Sequence, residues 1–378
     1  MMMRVPVSRP LVGQEEAELA REAVARGDIS GIFGAYLQEF EQSYAAYCGT
    51  KYAITVSNGT TALHLALATL GIGAGDEVLV SSFTNMATFF AVLYQGAVPI
   101  PIDIEEDTWN IDPSLLESKI TSRTKAILVV HIYGHPVDMD PVLEIAKNHN
   151  LFVVEDVAEA HGAEYKGRRT GSLGDIGCHS FYANKIITTG EGGMLTLNND
   201  ELCERAKSLK SLAFGKQNKF LHDDIGYNYR LTNVQCAIGV AQLRKIDEIL
   251  RRKQEMASYY LEAFSGMEDV VLPVQREYAK NVYWMFLLVL TGSLSGKRSQ
   301  IMAALKERGI ESRESFIPYD QQEVIFQKHG MVKPQACPVA DRIGANGFYI
   351  PSGTDISNEE LAYTAQHVKE VIGLCRAS

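Results

Sequence analysis

Between residues 14 and 26, in QEEAELAREAVAR, apolar side chains recur every three or four positions among charged ones, and Gly27-Asp28 then ends the pattern. That period predicts a surface helix. YLQEFEQSYAAYCG (36–49) repeats it. The period then changes: in YAITVSNGTTALHLALATLGIG (52–73) a short β-branched strand gives way to Ser57-Asn58-Gly59 and to a helix beginning near Thr60. Strand, turn and helix in that order form the unit of an α/β fold. Short apolar runs recur at EVLVSS, AVPIPID, KAILVVH, NLFVVED, IGCHSF and GGMLTL, several separated by helical stretches such as MDPVLEIAKNHN. Strands this apolar, without alternation, suit a sheet covered on both faces.

A long helical pattern, NVQCAIGVAQLRKIDEILRRKQEMASYYLEAF (233–264), leads out of this region. Beyond it the texture differs. VYWMFLLVL reads as a strand and RSQIMAALKERG as a helix, and ISNEELAYTAQHVKEVIGLC reads as a terminal helix with Ser357 as N-cap and Glu360 three residues later. The expected organisation is a large α/β domain over residues 1–245 and a smaller α+β domain over 246–378.

Composition narrows the function classes. A chain of 378 residues that is 46% hydrophobic can bury a large core, and its net charge of −10, with no long basic run, argues against nucleic acid as a partner. The six cysteines are scattered without a CxxC pair, so no structural zinc site is expected, and free thiols in a reducing compartment are. MMMRVPVSRPLVG lacks a signal-like apolar segment, and no run approaches the roughly 18–20 apolar residues of a membrane span. A cytoplasmic protein without a membrane partner is the expectation.

Three local features carry chemistry. SNGTTALH matches neither GxGxxG nor GxxxxGK[ST], but it offers backbone N–H groups and hydroxyls at a helix start, which either hold a phosphate or simply cap the helix. VVEDVAEAHG ends an apolar strand on Glu155-Asp156, where open α/β sheets place their ligands, or where a loop carboxylate caps a turn. His161 nearby reads as a packing or hydrogen-bonding histidine, and no metal ligand set is evident. Lys185, in SFYANKIITTGEGG, sits among small and apolar residues that strip its solvation, which favours the free amine that attacks a carbonyl. If the three features converge, a carboxylate, an amine and a phosphate cradle suit pyridoxal phosphate (PLP). If they do not, they are three unrelated local structures.

At these residues the chain resembles a known family. SNGTTALHLAL, VVEDVAEAHGAEYKGRRTGSLGDIGCHSFYANKIITTGEGGML and DIGYNYRLTNVQCAIGVAQL are similar to the DegT/DnrJ/EryC1/StrS sugar aminotransferases, and the similarity spans nearly the whole chain. The resemblance implies an α/β chain of PLP-dependent fold type I, aspartate aminotransferase-like, with a large, mostly parallel-sheet domain and a small C-terminal one. It implies PLP as cofactor with pyridoxamine phosphate as its intermediate form, L-glutamate as amino donor, and a homodimer with shared sites. Lys185 would be the Schiff-base lysine and general base, Asp156 the partner of the pyridine nitrogen, and Glu159 the neighbour of the phenolic oxygen. Gly59, Thr60 and Ser180 would hold the phosphate with Asn228 of a second subunit. Where the family carries an aromatic residue against the cofactor ring, this chain has Asn85 among the implied cofactor contacts, so either Phe89 or another side chain would take the ring face, or an amide would pack there. HIYGHPVDMD and NKIITTGEGGM are most similar to family members that aminate GDP-4-keto-6-deoxymannose, which implies a nucleotide-linked keto sugar in O-antigen or lipopolysaccharide synthesis, bound by Arg230, Arg313 and Tyr319. The stretch ESRESFIPYDQQ departs from that group at Asp320-Gln321-Gln322, which leaves a keto sugar without a nucleotide, such as 8-keto-3-deoxyoctulosonate, as the alternative. A PLP-dependent sugar dehydratase is the alternative of another reaction class; such enzymes carry histidine in place of the lysine.

Overall fold

The computed structural model describes residues 4–215 and 217–377. The two stretches of helical period form α1 (Gln14–Ala25) and α2 (Ala35–Cys48), and Gly49 closes α2 at φ 76°, a conformation that costs a residue without a Cβ little. Strands and helices then alternate: β1 (Tyr52–Val56), α3 (Gly59–Thr69), β2 (Glu77–Ser81), α4 (Met86–Tyr94), β3 (Val98–Ile102), β4 (Thr124–Val130), α5 (Met139–His149) and β5 (Phe152–Asp156). A short hairpin, β6 (Glu164–Tyr165) and β7 (Arg168–Arg169), precedes β8 (Ile176–Ser180) and β9 (Gly193–Leu197). Seven of these strands form one sheet in the order β1-β9-β8-β5-β4-β2-β3. The run from β3 to β8 is parallel throughout, and β9 pairs antiparallel with both β8 and β1.

Successive residues of one strand enter different layers. Val78 and Val80 join Leu128 and Val130 in one core, while Leu79 joins Ile127, Val129 and Val142 of α5 in the other. Both faces are therefore dry, which is why these strands carry no polar alternation.

The helical pattern at 233–264 predicts a single helix, but the structure has two. After α6 (Asp200–Lys210), α7 (Asn233–Arg244) ends at Lys245, whose φ of −108° and ψ of 10° break the axis before α8 (Ile246–Ala263) begins. Beyond the break α8 runs from the first core, with Ile246, Ile249 and Leu250, into a second. Cys236, Ala237 and Val240 of α7 belong to the core of the first sheet, whereas Met256, Tyr260 and Phe264 of α8 belong to a second core.

That second core lies against a four-stranded antiparallel sheet. In chain order the elements are β10 (Val270–Val271), β11 (Ala279–Lys280), β12 (Phe286–Leu290), α9 (Arg298–Glu307), β13 (Arg313–Glu314), α10 (Glu323–His329), α11 (Pro338–Asn346), β14 (Gly347–Ile350) and α12 (Asn358–Ala377). The sheet order is β10-β12-β14-β13, and β11 leaves it to pair with β6. The chain's beginning also packs here: Val5 donates to the Gly309 carbonyl and accepts from the Glu311 N–H, both at 2.9 Å, with its side chain in the second core. At α12 the expected cap is present. The Ser357 N–H donates to Glu360 Oε2 at 2.9 Å and the Glu360 N–H donates to Ser357 Oγ at 3.1 Å, a reciprocal box of the kind that contributes about 1 kcal/mol. Cys48, Cys178, Cys203, Cys236 and Cys337 are buried and form no disulfide. Among the described residues no helix is long and apolar enough to cross a membrane.

One buried cation couples the two layers. Lys253 of α8 is 1% exposed, and its Nζ donates to the Trp284 carbonyl at 3.0 Å and to the Ser352 carbonyl, with no carboxylate in ion-pair contact among the described residues. Burial pulls its pKa down to about 7. The unfolded chain keeps that proton up to about pH 10.4. Between those values the unfolded state binds the extra proton, so this group makes stability rise with pH, and below about 7 both states are charged and the penalty is complete. Urea unfolding at pH 7 and pH 9 should show the wild type gaining about 2 kcal/mol relative to Lys253→Met over that interval. Parallel pH dependences of the two proteins would show that Lys253 is not the group responsible.

Candidate active site

The C-terminal ends of β1, β5 and β8 lie on one edge of the first sheet, where parallel sheets open a crevice. A cavity of about 520 Å³ occupies that edge. Gly59, Thr60, Asn85, Asp156, Glu159, Ser180 and Lys185 all line it, so the three features that are separate in sequence meet in one place.

The helix start comes first. Asn58 caps α3 by accepting the Thr61 N–H at 2.9 Å, which leaves the N–H groups of Gly59 and Thr60 as first-turn donors without an intrahelical partner. A Cβ on Gly59 would stand 2.7 Å from Ser180 Cβ and 3.0 Å from Ser180 Oγ, closer than real contacts allow. Glycine is thus required for the Ser180 hydroxyl to approach the positive end of the helix. Two hydroxyls and two N–H groups at a helix N-terminus form a cradle for a phosphate.

Asp156 ends β5 with its carboxylate buried. Its Oδ2 accepts from Thr88 Oγ1 at 2.9 Å, its Oδ1 accepts from the Ala158 N–H at 3.1 Å, and Thr84 Oγ1 lies 3.0 Å behind Thr88 Oγ1. Burial raises its pKa, opposed by these two donors and by the charges of Lys185 and His131. A cationic N–H placed against it would complete the opposition and keep it ionised. The following turn, in which the Ala160 N–H donates to the Val157 carbonyl, returns Glu159 to the same cavity. Glu159 Oε2 accepts the Tyr133 N–H at 2.8 Å, and burial raises its pKa against the pull of Lys185.

Lys185 follows a tight turn in which its own N–H donates to the Tyr182 carbonyl at 2.9 Å. Burial lowers its pKa, and the charges of Glu159 and Asp156 oppose the shift. Its Nζ lies 3.8 Å from the centroid of the Trp284 ring. Asn184 also lines the cavity, and its Oδ1 is buried without a hydrogen-bond partner. A cradle for a phosphate, a carboxylate seat for a ring N–H, a desolvated amine and an unsatisfied polar atom together fit PLP.

Other expected residues are placed differently. Asn85 lines the cavity, but its side chain caps α4 by accepting the Ala87 N–H at 3.0 Å. Phe89 does not cover the ring face: it is fully buried and stacked on Tyr319, with centroids 4.1 Å apart and planes 10° apart. That stack also keeps Tyr319 in the core, 3% exposed, rather than in the cavity. Arg313 is exposed and bonded to Glu311 at 2.7 Å, although its register partner, Tyr349, lines the cavity. Asn228 and Arg230 stand outside the cavity of their own chain; Arg230 donates to Ser211 Oγ at 3.1 Å. His161 is buried beside His179 and Phe181, and burial lowers its pKa to about 3, so it is neutral.

Sequence reasoning missed the far wall. Trp284, Phe316 and Tyr349 line the cavity from the second layer, and Thr88 fixes Asp156 from α4. VYWMFLLVL looks like an ordinary buried strand, and nothing local marks its tryptophan as facing a lysine about a hundred positions earlier. Thr84 precedes α4 and only Thr88 lies on it, so no helical period marked the pair.

The sequence profile of the DegT/DnrJ/EryC1/StrS aminotransferase family matches residues 10–369. The GDP-perosamine synthase of Escherichia coli O157:H7 is 41% identical over 98% of this chain and 99% of its own. That of Caulobacter vibrioides is 40% identical over 95% of each. A Streptococcus pneumoniae protein solved in a PLP form superposes with a TM-score of 0.91 at 25% identity, covering 99% of this chain and 100% of that one, and its PMP form gives the same score. A match of that extent, on an architecture solved elsewhere with the cofactor in both its forms, makes this chain a member of the DegT/DnrJ/EryC1/StrS aminotransferase family, a PLP-dependent aminotransferase of fold type I.

Proposed function

We propose that the protein transfers the amino group of L-glutamate to the keto carbon of a nucleotide-linked 4-keto-6-deoxyhexose. The observation that carries this is the 40–41% identity, over at least 95% of both chains, to two GDP-perosamine synthases. When bound, PLP supplies an electron sink beside the donor's α-carbon and a carrier for the amino group. Gly59, Thr60 and Ser180 would hold its phosphate, Asp156 would keep a proton on its ring nitrogen, and Glu159 would stand toward its phenolic oxygen. Lys185 Nζ takes the α-proton of glutamate and, with the keto sugar in place, returns a proton to the sugar carbon. An amine at this position, and not an imidazole, supports transamination over dehydration.

The same proposal includes a homodimer. Phe220, Leu221 and Ile225 are 79%, 68% and 85% exposed on the segment that leads to Asn228, and Asn228 is itself exposed, flanked in sequence by Tyr227 and Tyr229, whose rings stack on each other. A second copy would cover this apolar segment and receive Asn228 at its phosphate cradle. Arg230 and Arg313 are the proposed contacts for the sugar nucleotide's diphosphate. The division at 245/246 is proposed on the axis break at Lys245.

The substrate is tested by loading the protein with pyridoxamine phosphate and offering GDP-4-keto-6-deoxymannose or 8-keto-3-deoxyoctulosonate in a single turnover, with the amino sugar read by mass. Amination of the GDP sugar at least about tenfold faster is expected, a difference of about 1.4 kcal/mol in barrier. The reverse preference would replace the substrate and leave the transaminase standing.

A further inference from the structure

Trp284 is tied to the catalytic segment at several points. Its indole N–H donates to the carbonyl of Asn184, the residue before Lys185, at 2.8 Å. Its backbone N–H donates to the Tyr133 carbonyl at 2.8 Å, and its ring stacks on Tyr133, centroids 6.3 Å apart and planes 15° apart. Tyr133 is the residue whose N–H holds Glu159, and it takes φ 50°, an uncommon value for a bulky side chain. The Trp284 carbonyl accepts from Lys253. A ring with this many restraints cannot swing away, and it presents its face to Lys185 Nζ at 3.8 Å.

The charged and titratable groups around that amine are few. Asp156 from the end of β5 and Glu159 from the turn after it act on Lys185 through their charge, and His161 stands behind as a neutral imidazole. Neither carboxylate forms an ion pair with Lys185 among the described residues. The nearest group that responds to the charge of the amine is therefore the π face of the indole.

Resting on the aminotransferase reading above, we propose that Trp284 is a positioning residue that seats the amine of Lys185 whenever it is not bonded to the cofactor. The electron-rich face favours the protonated amine, but more weakly than a carboxylate in direct contact would. The amine can therefore hold the proton it removes from the donor without being trapped by it. An ion pair at the same place would keep the lysine charged, and an aliphatic wall would leave the released amine without a defined position.

The test uses Trp284→Phe and Trp284→Leu. Both lose the bond to the Asn184 carbonyl, so the comparison between them isolates the aromatic face. The first readout needs no cofactor: competitive acetylation of Lys185 in the cofactor-free protein across pH, read by peptide mass, gives the titration of the amine directly. Loss of the ring face disfavours the ammonium, so the midpoint should fall by about half to one pH unit in Trp284→Leu and by less in Trp284→Phe. The second readout is the glutamate half-reaction, whose rate should fall about tenfold or more in Trp284→Leu with recovery in Trp284→Phe, while KM for glutamate changes little. Equal midpoints in the two variants, or a midpoint unchanged from wild type, would overturn the proposal. Failure of the wild-type protein to convert glutamate would instead overturn the aminotransferase reading, and the acetylation result would still decide the role of Trp284.

Discussion

Lys185→Ala is expected to abolish turnover, by about 10⁴-fold or more, while the protein still folds and still binds pyridoxamine phosphate. In the proposed reaction the amine would have two duties at one atom: anchoring the aldehyde of the cofactor and moving the substrate proton. Neither has a substitute. Asp156 and Glu159 share the cavity, but Asp156 is bonded to Thr88 and Ala158, and Glu159 is bonded to the Tyr133 N–H. The phosphate cradle of Gly59, Thr60 and Ser180 is untouched by the change, which is why cofactor binding should persist. Intact-mass analysis after borohydride reduction should place the phosphopyridoxyl group of the wild type on Lys185. An adduct on another lysine would overturn the assignment. Lys253, the other lysine that burial depresses among the described residues, is the control: it faces the Trp284 and Ser352 carbonyls and does not line the cavity. Because burial holds the Lys185 amine below the usual lysine range, its neutral form persists to lower pH than in an exposed lysine, and activity should fall as acid converts it to ammonium.

Mixing Lys185→Ala with Asn228→Ala subunits should restore about a quarter of wild-type activity to two proteins that are each severely impaired. If each cavity draws Lys185 from one chain and Asn228 from the other, a mixed dimer has one site carrying both changes and one site carrying neither. Random exchange at equal amounts makes half of the dimers mixed, and half of their sites intact. The structure motivates the experiment on two grounds: Asn228 is exposed and outside its own chain's cavity, and the neighbouring Phe220, Leu221 and Ile225 leave apolar surface in water. No recovery, with subunit exchange verified by tagged copies, would count against a shared site.

The departures from the family pattern become intelligible in three dimensions. Asn85 is a helix cap, so the residue type there answers to α4 as well as to any ligand. Phe89 and Tyr319 are spent on each other in the core, which removes both from the cavity wall. The aromatic surface that the cavity does have comes from Trp284, Phe316, Tyr349 and Tyr182.

What the sequence determined by itself is local or periodic. Uninterrupted apolar runs specified strands buried on both faces, because a sheet with one wet face would need polar residues at alternate positions. Ser357 and Glu360 specified the start of α12, because a capping box is complete within four residues. Lys185, Asp156, Glu159, Ser180, Gly59 and Thr60 were legible as candidates because Asp156 and Ser180 end strands, Gly59 and Thr60 begin a helix, Glu159 and Lys185 lie in the turns that follow those two strands, and strand ends on a parallel sheet share an edge. Only the tertiary structure decided the rest. That 233–264 would be two helices was set by the break at Lys245, which no helical period records. That Trp284 would sit under Lys185, and Tyr319 under Phe89, depended on how the second layer docks on the first. Contacts between distant segments arise from complementary shape over many side chains, and the residues that make them have the same composition and period as any other part of the core.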